Sequence, residues 1–69
     1  MAKVYAMIAD RTEEVECLAV VDILKRSGVE VVLVSVGRTK EIVSSHSIRI
    51  QADAVAAETD FSDGDVITP

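Results

Sequence analysis

The stretch from Thr12 to Gly28, TEEVECLAVVDILKRSG, decides how the rest of the chain is read. Thr12 has the chemistry of a helix N-cap, a side-chain oxygen that takes up a free amide of the first turn. Gly28 is a C-terminal stop, the residue that turns left-handed without a steric penalty. The apolar positions between them recur at helical spacing. Glu13, Glu14 and Glu16 crowd the start, where carboxylates meet the positive end of the helix dipole. Glu16 is the odd one, because it falls where the apolar face has already begun.

On either side of this helix lies an apolar run rich in β-branched residues. KVYAMIA (Lys3 to Ala9) precedes it and VEVVLVSV (Val29 to Val36) follows it. Strand, helix and strand in that order make a βαβ unit with a right-handed crossover. Near-continuous apolar strands are those covered on both faces, as in a parallel sheet packed between helices. After Val36 the texture changes. Two short alternating pieces, Glu41 to Ser44 and Ser47 to Gln51, read as a small antiparallel hairpin around His46. DAVAAE (Asp53 to Glu58) reads as a weak helical turn, TDFSDGD as loop, and DVIT as a third core strand ending at Pro69. So few strands and one helix cannot cover both faces of a sheet. The expectation is therefore the N-terminal piece, residues 1–69, of a larger single α/β domain.

A chain of 69 residues buries only ~60% of its unfolded surface and needs support from elsewhere. One cysteine and one histidine allow neither an internal disulfide nor a zinc spacing. With 12 acidic against 7 basic residues and a net charge of −5, nucleic acid is an unsuitable partner. The apolar runs fall far short of the ~20 residues that span a bilayer, and MAKVYAMIAD is too short and too interrupted to read as a signal peptide. A free thiol in such a chain points to a reducing, cytoplasmic setting.

A helical wheel separates two faces. Glu16, Val20, Ile23 and Ser27 share one, with Leu24 alongside. Val15, Leu18, Ala19, Asp22 and Arg26 share the other, and a narrow sector near Glu14, Val21 and Lys25 is left for water. A helix apolar on two sides needs its own sheet and a second surface, so the second face is expected at an interface. Asp22 and Arg26, four apart, are placed to pair. Glu16 heads the stripe expected near the carboxyl edge of the sheet, where open α/β sheets bind ligands. A carboxyl half-buried there would stay protonated and could donate a hydrogen bond to a thiolate or oxyanion. The plainer reading is a third first-turn acid. Cys17 reads as a buried structural thiol, and His46 as a surface or interface residue.

The Glu-Glu-x-Glu start, followed by VVDILKRSG and then VEVVLVSV, resembles the opening of the deglycase-like ThiJ/PfpI family. SSHSIRIQAD is similar to the family's β-excursion ending in an aspartate, here Asp53, and DVITP to the strand before Pro-Gly-Gly. The resemblance spans the chain. It implies a flavodoxin-like three-layer α/β sandwich, dimeric through its first helix, acting on a small reactive aldehyde without a cofactor. It also implies that Glu16 is the family's protonated glutamic acid, bonded to a nucleophilic cysteine. That cysteine lies on a later strand-to-helix elbow, in a C-terminal segment past Pro69, and Cys17 does not match it. DVITP is one residue shorter than the usual strand, and His46 stands where relatives often carry an arginine near the interface. Alone, the 69 residues are not expected to be active. A redox-sensing or chaperone-like stress protein of the same fold is the alternative. A receiver-like module wants an aspartate at the end of its third strand, and VITP offers none.

Overall fold

Strand β1 (Lys3–Ile8) and strand β2 (Glu30–Ser35) are the two apolar runs, and they pair in parallel with Lys3 opposite Glu30 and Ile8 opposite Ser35. Helix α1 (Glu14–Arg26) connects them. The computed structural model describes residues 2–69. Strands β3 (Glu41–Val43) and β4 (Arg49–Gln51) form the expected antiparallel hairpin, with Ile42 opposite Ile50. The chain then adds β5 (Ala54–Val55), a 3-10 turn (Ala56–Glu58) and β6 (Asp65–Ile67). The main sheet runs β5-β2-β1-β6 with every pair parallel. The α/β, flavodoxin-like class expected of the sequence is the class observed.

Three local expectations are corrected. Asp53 to Glu58 is not one helical turn, because it divides into β5 and the 3-10 turn. The cause is a two-pronged clamp from Asp53. Its backbone N–H donates to the Leu33 carbonyl at 2.7 Å, and its carboxylate accepts from Leu33 N–H at 3.0 Å. That clamp draws Ala54 and Val55 into register with Val34 and Ser35. The helix cap is Glu13 rather than Thr12. Glu13 has extended backbone and its carboxylate accepts from Val15 N–H at 2.9 Å, while the Thr12 carbonyl is taken by Ser45 N–H at 2.8 Å.

The third correction concerns the faces of the helix. Glu14, Cys17 and Val21 are buried and Leu24 half-buried, so the stripe against the sheet includes most of the sector assigned to water. Glu16, Val20, Ile23 and Ser27 are exposed, as are Val15, Leu18, Ala19, Asp22 and Arg26. The helix is apolar almost all round. Its buried side was chosen by the sheet and hairpin it meets, and an acid at position 14 was no guide to it. The C-terminal stop is as expected. Gly28 has φ +86°, its N–H reaches the Lys25 carbonyl, and Val29 N–H reaches that of Leu24, each at 3.1 Å. These are the two bonds of a Schellman ending.

The core joins Ala6, Ile8, Val31 and Leu33 of the sheet to Cys17 and Val21 of α1 and to Ile42 and Ala52 of the hairpin region. Full burial of a side chain such as Ile42 is worth about 1.5–3 kcal/mol, so the hairpin is fastened to the domain. On the opposite face Tyr5 is buried beneath Phe61 in an edge-to-face pair with ring centres 5.0 Å apart, and its hydroxyl donates to Asp63. Asp63 also takes Lys3 Nζ at 2.9 Å.

Candidate functional site at the carboxyl edge of the sheet

From β1 the chain moves outward through β2 to β5 and then returns to place β6 on the other side of β1. β1 is therefore beside the point where the winding reverses. In open α/β sheets ligands bind outside the carboxyl ends of strands at such a point. Residues 9–13, the first turn of α1 and the hairpin tip gather at this edge. Asp10 Oδ1 accepts from Val43 N–H at 2.9 Å, and Arg11 N–H donates to the Val43 carbonyl at 2.7 Å. With Ser45 N–H on Thr12, the loop after β1 is stitched along the hairpin. The stitching holds Arg11 at φ +72°, a left-handed backbone rare for a residue with a side chain.

The three glutamates have three different settings. Glu13 caps the helix through one oxygen, and its other oxygen lies 3.7 Å from His46 Nδ1. Glu14 is buried with its Oε1 2.8 Å from the same nitrogen. Its own backbone N–H holds its carboxyl below the usual range, with Ser44 and His46 reinforcing that and burial opposing it. Glu16, expected to be half-buried, is exposed, while Glu14, expected to face water, is not. Positions 14, 17 and 21 share the packed stripe, and position 16 is turned about 200° from 14 on a helix of 3.6 residues per turn.

Asp22 and Arg26 pair at 3.1 Å on the exposed surface. Val15, Leu18 and Ala19 are exposed with them, Val15 to 71%. His46 is exposed and lies against the helix start, beside Glu14 and Glu13. That contact had no local signal, since it joins residues far apart in sequence. Cys17 is 1% exposed, and burial pushes its thiol pKa up against a smaller opposing effect of the Thr12 hydroxyl. A thiol so placed is poorly suited to nucleophilic work. No helix among the described residues is long and apolar enough to cross a membrane.

Comparison with known proteins agrees with this arrangement. The model of the DJ-1/PfpI family matches residues 2–68. Over 60 residues the chain is 37% identical to protein DJ-1 homolog B of Arabidopsis thaliana, covering 87% of this chain and 14% of that protein. It superposes on oxidized DJ-1 of Toxoplasma gondii with a TM-score of 0.86 and 30% identity, over 100% of this chain and 38% of the other. Drosophila melanogaster DJ-1beta shares the fold, with a TM-score of 0.88 at 24% identity over 99% and 37% of the two chains. The chain thus spans about a seventh of the curated relative and under two-fifths of these structures.

Proposed function

The chain belongs to the DJ-1/PfpI family, and we propose that it contributes Glu16 to a cysteine-dependent site of the glyoxalase or deglycase type. Residues 1–69 form the N-terminal part of one α/β domain in this reading, and a C-terminal segment of the same protein carries the nucleophilic cysteine. The observation that carries the proposal is the position of Glu16. It stands in the first turn of α1, the helix that follows β1 at the reversal point of the sheet, and its side chain is exposed. Glu13 and Glu14 are occupied by the helix cap and by His46.

The chemistry asks for a carboxyl that can hold and release a proton beside a sulfur. The sulfur attacks the aldehyde carbon, the proton that the thiol gives up passes to the carbonyl oxygen, and a hemithioacetal forms. A glutamic acid within hydrogen-bond reach stabilises the thiolate and moves a proton at the adjacent carbon. In this reading the C-terminal segment covers Glu16 and brings the cysteine within its reach. The substrate class is a small reactive aldehyde such as a glyoxal or its protein adduct. The complete unit is a homodimer through Val15, Leu18, Ala19, Asp22 and Arg26, with His46 near the seam.

The test is methylglyoxal consumption by the protein containing its C-terminal segment. Glu16→Gln is expected to keep the fold and lose turnover, because an amide cannot exchange the proton. Glu16→Asp is expected to be impaired as well, by withdrawal of the carboxyl. Unchanged turnover in Glu16→Gln returns Glu16 to the role of a helix-start acid.

A further inference from the structure

The cluster of Glu13, Glu14 and His46 is not used by the chemistry above. One ligand-capable atom from each lies within 4.8 Å of the others. His46 Nδ1 is 2.8 Å from Glu14 Oε1 and 3.7 Å from Glu13 Oε2. Two ligands of a tetrahedral zinc ion, at about 2.0–2.1 Å from the metal, stand roughly 3.3–3.5 Å apart. The two observed separations bracket that span, so small side-chain rotations would seat an ion.

A second, independent observation comes from Glu14. The residue is nine-tenths buried, with 9% exposure, and its Oε2 is shielded from solvent without a hydrogen-bond partner among the described residues. A buried carboxylate oxygen left unpaired is costly, and a bound cation is a partner that both oxygens of the group can serve. Glu13 is prepared in a different way. Its Oε1 is held by Val15 N–H, which orients the carboxylate and leaves Oε2 for a ligand. Ser45 Oγ lies 3.2 Å from His46 Nδ1 and must yield that nitrogen to the metal. The helix start opposes a cation with about half a positive charge, against two full negative charges from the glutamates.

We propose that Glu13, Glu14 and His46 form a site for a divalent transition-metal ion, with zinc the ion best matched to one imidazole and two carboxylates. The imidazole disfavours magnesium and calcium, which prefer all-oxygen shells. Three protein ligands leave a fourth position for water. The two glutamates come from the start of α1 and the histidine from the hairpin tip, so the ion links those two elements.

The experiment is calorimetric titration of zinc chloride into the full-length protein, repeated with cobalt(II) to read tetrahedral ligation from its visible spectrum. One equivalent is expected to bind, and His46→Ala is expected to lose that equivalent together with its cobalt spectrum. His46 is exposed on a turn, so this variant should fold, and circular dichroism checks that it does. Glu13→Gln, which keeps a capping oxygen, is expected to weaken the site by about tenfold or more. No zinc uptake at roughly 1 mM, or unchanged stoichiometry and spectrum in His46→Ala, would overturn the assignment. Aldehyde turnover is not read, so the result is independent of Glu16.

Discussion

Glu14 Oε1 and His46 Nδ1 stand 2.8 Å apart where the first turn of α1 meets the tip of the hairpin. The contact gives the fold a pH dependence whose sign follows from the carboxyl. Its pKa is lowered in the folded state, first by its own backbone N–H. Glu14 therefore contributes stability above the ordinary carboxylate range, and that contribution is lost as pH falls through the lower folded value. Scanning calorimetry from about pH 6 to about pH 3, across the glutamate range, should show Tm falling on acidification. Glu14→Gln should give a shallower slope. An unchanged slope would mean that the carboxylate is no better held in the folded chain than in the unfolded one.

Arg11 supplies a test of backbone strain. Its φ of +72° carries a steric penalty that glycine does not have. Arg11→Gly keeps the N–H that bonds the Val43 carbonyl. Relief of strain should match or exceed the added entropy of the unfolded chain, for a gain of up to about 1 kcal/mol. Arg11→Val keeps the same N–H but sharpens the clash, and should cost about 1–3 kcal/mol. Urea unfolding of both variants in the full-length protein measures the difference. A more stable valine variant would refute the strain.

Gly64 is constrained by contact. A Cβ at this position would lie 2.7 Å from the Lys3 carbonyl oxygen and 3.1 Å from Tyr5 Cε2. The nearer atom is backbone of β1 and cannot swing aside. Gly64→Ala should push β6 away from β1 and loosen the Tyr5–Phe61 pair, costing about 1–3 kcal/mol. Thermal unfolding reads the cost, and an unshifted Tm would show that the approach of residue 64 to β1 is less tight.

The apolar outer surface of α1 predicts association. Val15 is 71% and Ile23 62% exposed, on a helix whose packed stripe is already occupied by Glu14, Cys17 and Val21. Ala19→Arg places a long charged side chain in the middle of the proposed seam. Sedimentation velocity should then show a shift from dimer to monomer in the full-length protein. An unchanged mass would remove this face from the interface. The exposed Asp22–Arg26 pair should matter little to the fold, at about 0.3–0.5 kcal/mol for such a pair.

Much of the architecture is local and was legible. The β-branched runs at Lys3 to Ala9 and Val29 to Val36 form strands because such side chains suit a pleated, buried surface. Gly28 ends the helix because it takes a left-handed backbone freely. The alternation around Ile42 and Ile50 marks a hairpin with one face packed. Asp22 and Arg26 read as a pair because they stand four apart on one helix, within a turn of each other.

What the tertiary structure alone decided is non-local. β5 is only Ala54 and Val55, too short for a periodic signal, and exists because Asp53 clamps Leu33 on a neighbouring strand. Glu13 rather than Thr12 caps the helix, since the Thr12 carbonyl is drawn to Ser45 on the hairpin. Glu14 is buried and Glu16 exposed for the same kind of reason. A helix with apolar residues on nearly every side has no preferred face of its own. The sheet and the hairpin select one, by supplying the surface against which Cys17 and Val21 lose the most contact with water.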